Sequence, residues 1–216
     1  MQPYRINDRH PPLSEELIAL MGKTETATIG HVEHLGFVSH GVLPLFPAKA
    51  AGSAVTVAAP GRDGTIIYRA VDLLMPGDLL VIARVDGDDI ACVGGGVATA
   101  VEARGAVGIV IDGPCTDAEE IAATGLPVWC RGVSSKTTNR RVSIGGSINE
   151  PIACGGAAVL PGYAVLADRE GVFVAPRDQM LTLARAAIAR QQNSIAVRRH
   201  LAAGRSIFDF QPETTS

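Results

Sequence analysis

The chain has 216 residues, 47% of them hydrophobic and 19% charged, with a net charge of −3 at pH 7. That length can bury one large core, and the acidic balance leaves no basic excess for gripping nucleic acid. Only 4% of the residues are aromatic while Gly totals 24, a composition that disfavours a stacking surface for single strands and favours α/β packing on small side chains. The segment from Met1 to His10 is polar, with Pro3, Arg5 and Arg9, and no stretch approaches a membrane span. The expectation is a soluble, cytoplasmic protein forming a single domain over 1–216, with its core over about 15–178 and a C-terminal helix over about 178–203.

In chain order, Leu13-Ser14 offers a staple and an N-cap to a first helix carrying Leu17, Ile18 and Met21 up to Gly22. Thr28 predicts the cap of a second helix with Ile29, Val32 and Leu35, closed by Gly36. Val55 and Val57 mark a strand, followed by the turn Pro60-Gly61-Arg62-Asp63-Gly64. From Thr65 the spacing of Ile66, Ile67, Ala70, Val71, Leu74 and Met75 predicts a helix stopped by Pro76-Gly77, and Leu79 to Ala83 reads as another strand. Then come a helix over Val97 to Arg104, a buried strand over Val107 to Ile111, and a helix over Ala118 to Ala123 ending near Gly125. Beyond Trp129 short strands are expected at Val142 to Ile144, Ile152 to Cys154, Val159 to Leu160, Ala164 to Ala167 and Val172 to Ala175. Asp178 opens a long helix with Leu181, Ala184, Ile188, Ile195 and Leu201 on its apolar side, and the tail after Phe210 is expected to be loose.

Two loops concentrate the chemistry. Gly94-Gly95-Gly96 precedes the helix that starts at Val97, where backbone N–H groups can face an anion. The strand ending at Ile111 runs into Asp112-Gly113-Pro114-Cys115-Thr116-Asp117, two carboxylates around a Gly-Pro turn, either of which can hold a divalent cation. In a layered α/β fold both loops emerge at the carboxyl ends of strands, where ligands bind. Plainer roles compete: Asp117 as the N-cap of the following helix, the glycines as a turn needing positive φ, Asp112 bonding its own turn. Cys92, Cys115, Cys130 and Cys154 form no C-x-x-C pair and read as reduced, partly buried thiols. His31, His34 and His40 match no metal motif and read as a solvated face, as do Arg185, Arg190, Arg198 and Arg199.

The run Gly77-Asp78-Leu79-Leu80-Val81, the glycine loop, Ala103-Arg104-Gly105, the Asp112 to Asp117 turn, Gly125-Leu126-Pro127-Val128, and Pro161-Gly162 with Ala167-Asp168 and Gly171-Val172 together resemble the RraA-like family. That family includes regulators of ribonuclease E activity and 4-hydroxy-4-methyl-2-oxoglutarate aldolases. The resemblance implies a swivelling β/β/α layered α/β fold with a central sheet and flanking helices. It also implies homotrimers or homohexamers, with a site at the subunit interface that takes a small 2-oxo acid and Mg²⁺ or Mn²⁺. The metal ligand falls on Asp117, the substrate-binding backbone loop on Gly94, Gly95, Gly96 and Val97, and the family aldolases' arginine on Thr116.

A guanidinium pairs bidentately with a carboxylate, which a hydroxyl cannot do. Thr116 is therefore expected to touch substrate in another way, with Arg131, Arg169 or a neighbouring subunit supplying the cation. Asp112 is expected to act with Asp117 in catalysis by orienting the turn or a metal-bound water. The activity implied is a metal-dependent lyase that cleaves or decarboxylates a 2-oxo acid to give pyruvate, as an aldolase or an oxaloacetate decarboxylase does. The alternatives are a non-catalytic regulator bound to an RNA-degrading enzyme and a related metal-dependent enzyme with another substrate.

Overall fold

The computed structural model describes residues 3–87 and 89–211. Four parallel strands form the centre: β3 (Ala50–Ala59), β4 (Asp78–Arg84), β5 (Gly108–Asp112) and β6 (Val128–Cys130). Every residue of β4 is buried, because it is covered on both faces. A near-continuous apolar run is what such a strand requires. The register pairs Ile82 with Ile111 and Ala83 with Asp112, so β4 and β5 end side by side.

The crossovers are helical: α3 (Thr65–Leu73), α4 (Gly95–Ala103) and α5 (Ala118–Thr124). They cover one face of the sheet, where Val57, Ile82, Ile109 and Ile111 meet Ile67, Ala98 and Ile121. The other face, carrying Val81, Val110 and Trp129, is covered by a hairpin of β8 (Ile152–Cys154) and β9 (Ala157–Val159) and by β10 (Ala164–Asp168) with β11 (Gly171–Ala175). β10 pairs antiparallel with both β3 and β11, curling the sheet back on itself. Outside that curl pack α1 (Glu15–Lys23), α2 (Thr26–Ile29) and α6 (Arg177–Ala202), with Met21, Ile29, Phe173 and Met180 between them. Helices, sheet and β-layer form a β/β/α architecture. Each fully buried Ile or Leu in it contributes about 1.5–3 kcal/mol.

The first helix forms as expected, with Ser14 Oγ accepting from Leu17 N at 3.3 Å. The second does not extend to Gly36. α2 stops at Ile29, leaving Val32 and Leu35 exposed, because the chain leaves the helix to pair with β11. Val38 N donates to Val172 O at 3.0 Å and Val174 N to Gly36 O at 2.8 Å. Gly36 sits at φ +89°, where an added Cβ would strike the Val174 carbonyl.

The strand expected at Val142 to Ile144 is displaced to β7 (Gly146–Ile148), since Ile144 N and Gly145 N bond Asp63 instead of a neighbouring strand. β1 (Tyr4–Ile6) and β2 (Leu43–Pro44) lack a sequence signal of their own and form by adding to the two ends of the sheet, on β7 and on β6. α6 buries Met180, Ala184, Ala187 and His200, whereas Ile195 and Leu201 of the expected apolar side are exposed. The tail beyond residue 211 lies outside the described residues, and no helix among those described is long and apolar enough to cross a membrane.

Candidate active site

Because β4 and β5 are adjacent and parallel, the loops that follow them bring the first turns of α4 and α5 together. Thr116 N donates to Val93 O at 2.9 Å and fixes one loop to the other. Gly94 caps α4 at φ −134°, and none of Gly94, Gly95 and Gly96 has positive φ. The first two are glycines for clearance. A Cβ on Gly94 would strike Asp117 Oδ2 and approach Thr116 Cγ2 to 2.8 Å, and one on Gly95 would strike the Glu120 carboxylate and approach its Cβ to 2.7 Å.

Asp117 occupies the N-cap position of α5, yet its side chain makes no capping bond to that helix. It turns to α4 instead, where its Oδ2 accepts from Gly95 N at 3.2 Å, while Oδ1 accepts from Thr116 Oγ1 at 3.3 Å. Its backbone is left-handed, φ 53° and ψ 45°, a region that costs a non-glycine residue about 1–2 kcal/mol. The first intrahelical bond of α4 is Ala98 N to Gly94 O, at 3.0 Å. The N–H groups of Gly95, Gly96 and Val97 therefore have no partner within the helix. Gly95 is committed to Asp117, and Gly96 and Val97 line a cleft of about 380 Å³ together with Thr116 and the exposed Asp117.

Gly94, Gly95, Gly96, Val97, Thr116 and Asp117 are thus brought together. Asp112 is not among them. It shares the face of β5 opposite Ile111, where its Oδ1 accepts from Arg131 Nε at 2.5 Å and its Oδ2 from Gly155 N at 2.6 Å. It lines a separate cleft of about 570 Å³ with Arg84, Pro114 and Val133, and it ties the ends of β5 and β6 to the β8–β9 turn. Arg131 is held there too, and Arg169 lines a third cleft beside Lys49 and Glu170.

The cation in the Asp117 cleft is one that the sequence did not point to, Arg140, whose guanidinium lies 5.0 Å from the centre of the Tyr68 ring. No local pattern marks it. It stands in a polar stretch between β6 and β7 that reaches the cleft through long-range bonds: Gly64 N to Asn139 O at 2.8 Å, Ala91 N to Lys136 O at 2.7 Å and Thr138 N to Ala91 O at 2.9 Å. Asp63 anchors that stretch. Its buried carboxylate accepts from Tyr4 OH at 2.6 Å, Thr65 N at 2.9 Å and Ile144 N at 2.8 Å. Burial pushes this carboxyl up, but the hydrogen bonds from Tyr4, Thr65 and Ile144 outweigh it and hold its pKa at about 2.

The four cysteines are buried thiols, none of them in a disulfide. Burial pushes the Cys154 thiol up to about 12. His31, His34 and His40 are exposed, and no group of three or more His, Cys, Asp or Glu could hold a metal among the described residues. A cation held by one carboxylate and otherwise by water and ligand oxygens fits Asp117, because Mg²⁺ dehydrates reluctantly and needs few protein ligands. What the cleft offers is an exposed carboxylate, two outward N–H groups on a helix N-terminus and a guanidinium, a combination suited to a cation paired with an oxyacid.

The chain is 33% identical over 128 residues to a Halalkalibacterium halodurans protein provisionally named 4-hydroxy-4-methyl-2-oxoglutarate aldolase, a match covering 59% of this chain and 60% of that one. It is 26% identical over 212 residues to protein DlpA of Legionella pneumophila, covering 93% of this chain and 33% of that one. The chain therefore spans between a third and three fifths of the length of these two relatives. Among solved structures it superposes on Streptomyces coelicolor RraAS2, described as an unusual member of the RNase ES inhibitor RraA protein family. The TM-score is 0.76 and the identity 26%, over 89% of this chain and 98% of that one. The family model described as Aldolase/RraA matches residues 24–174, and the protein belongs to the RraA-like family.

Proposed function

We propose that the protein is a divalent-metal-dependent lyase that cleaves or decarboxylates a small 2-oxo acid to give pyruvate. The observation that carries this reading is the strained Asp117 carboxylate, turned away from its own helix toward the glycine loop and open to the cleft. Mg²⁺ or Mn²⁺ held by Asp117 would supply positive charge for the oxygen that becomes negative when the bond beyond the keto group breaks. Gly96 and Val97 N–H groups would orient the substrate carboxylate at the positive end of α4. Arg140 would take a second carboxylate, the part played by the family aldolases' arginine, whose position here is Thr116. The Thr116 hydroxyl, bonded to Asp117, would set the orientation of that carboxylate. Asp112 acts from outside the cleft, by holding the turn.

Because Asp117 is exposed, we also propose that a neighbouring subunit of a trimer or hexamer closes the cleft. The relatives' names support the lyase reading at the level of the family. The test is pyruvate release from oxaloacetate and from 4-hydroxy-4-methyl-2-oxoglutarate with Mg²⁺. The expected result is turnover that chelation abolishes and that Asp117→Asn lowers by about a hundredfold or more; no pyruvate from either compound counts against the reading.

Thr116 favours a second reading, that of a regulator docked on an RNA-degrading enzyme. It is supported by the description of the Streptomyces neighbour. A stable complex with such an enzyme, unaffected by Asp117→Asn, would mark it.

A further inference from the structure

The segment 113–117 is a partition between two clefts: Gly113 and Pro114 line the larger one, Thr116 and Asp117 the smaller. Between them Cys115 turns into the core, fully buried, and its sulfur lies 3.6 Å from that of Cys130, which is also buried and closes β6. The main chain holds the pair in fixed register. Cys115 N donates to Gly132 O at 3.0 Å and Ser134 N to Cys115 O at 2.8 Å. A disulfide bond needs the sulfurs at about 2.05 Å, so closure brings the two sulfurs together by roughly 1.5 Å, a shift shared between the partition and the end of β6. Cys115 is followed directly by Thr116 and Asp117, and Thr116 N is bonded to Val93 in front of the glycine loop, so an inward pull reaches both halves of the cleft.

We propose that Cys115 and Cys130 form a reversible disulfide whose closure moves the Thr116–Asp117 wall, making the cleft sensitive to a peroxide oxidant. The Cys130 sulfur attacks a peroxide oxygen, the O–O bond breaks, and the departing hydroxide takes the thiol proton to leave as water. Cys115 then attacks the resulting sulfenic sulfur, the S–O bond breaks, and a second water leaves with the Cys115 proton. Two thiols lose two electrons in all, and hydrogen peroxide gains them to become two waters. Cys130 suits the first step, because Cys115 stands beside it at 3.6 Å to resolve the sulfenic acid. A dithiol reductant reverses the change by exchange.

The switch does not require a cation at Asp117, so its test is independent of activity. The full chain is treated with hydrogen peroxide, alkylated, digested with trypsin and weighed, and its amide hydrogen exchange is compared with that of the reduced protein. Cleavage after Arg104 and Arg131 leaves both cysteines on one peptide. The expected result is that this peptide is two hydrogens lighter and unalkylated, while Cys92 and Cys154 remain thiols. Exchange over 94–97 and 116–117 is expected to change roughly tenfold, and both effects should reverse with dithiol and disappear in Cys115→Ser. Persistence of all four thiols, a link involving Cys92 or Cys154, or a Cys115–Cys130 link that leaves exchange in both loops unchanged would each overturn it.

Discussion

An aspartate at φ 53° is held where a glycine would rest without strain, and the surrounding contacts must supply the difference. At Asp117 the retained benefit is the position of a carboxylate, since its bond to Gly95 is a single one of ordinary strength. Asp117→Gly is therefore expected to be more stable than Asp117→Ala by about 1 kcal/mol, although both lose the carboxylate. Urea midpoints of the two variants check this, and equal midpoints would show that the backbone is not strained.

Asp63 is the other decisive residue. Its folded pKa of about 2 lies below the ordinary 3.8, so its stabilisation is complete above about pH 4 and is lost as pH falls toward and through 2. The contribution at neutral pH is roughly 2 kcal/mol. Asp63→Asn should lose that amount at pH 7 and unfold with a flatter acid dependence between pH 4 and 2, as measured by circular dichroism across that range.

Among the elements, the first turn of α4 contains neighbouring glycines with opposite requirements. Gly95 faces Glu120 with no room for a methyl group, whereas a Cβ on Gly96 meets nothing within 4 Å. Gly95→Ala is expected to destabilise by about 1–3 kcal/mol and to push α4 from α5. Gly96→Ala is expected to stabilise by roughly 0.4–1 kcal/mol. Thermal midpoints distinguish the pair, and a shift of the same sign in both would refute close approach as the role of Gly95.

The strand–helix alternation from β3 to α5 was legible because each element there satisfies its own apolar period. α2 and the 142–144 segment were misjudged for a common reason. Their local patterns are overruled by partners distant in sequence, β11 for the stretch after Ile29 and Asp63 for Ile144 and Gly145. The juxtaposition of the glycine loop and Asp117 was legible because both follow the ends of adjacent strands. Arg140 was not, because only tertiary hydrogen bonds carry its loop to the cleft.

At the scale of the molecule, the parallel sheet explains why a cleft forms beside Asp117 at all. Adjacent parallel strands deliver consecutive loops to one edge, with the helices that follow presenting their N–H ends there. Asp112 is the last residue of β5, on the face opposite Ile111, whereas Asp117 stands beyond the Gly113-Pro114 turn at the start of α5, and so the two line different clefts. The most direct measurement is a calorimetric titration of the protein with Mn²⁺ in the presence and absence of oxalate, a stable mimic of a 2-oxo acid enolate. The account predicts that Mn²⁺ and oxalate bind cooperatively to the native protein and that Asp117→Asn weakens Mn²⁺ about a hundredfold. Native-like Mn²⁺ affinity in Asp117→Asn, or no binding by the native protein, would contradict it.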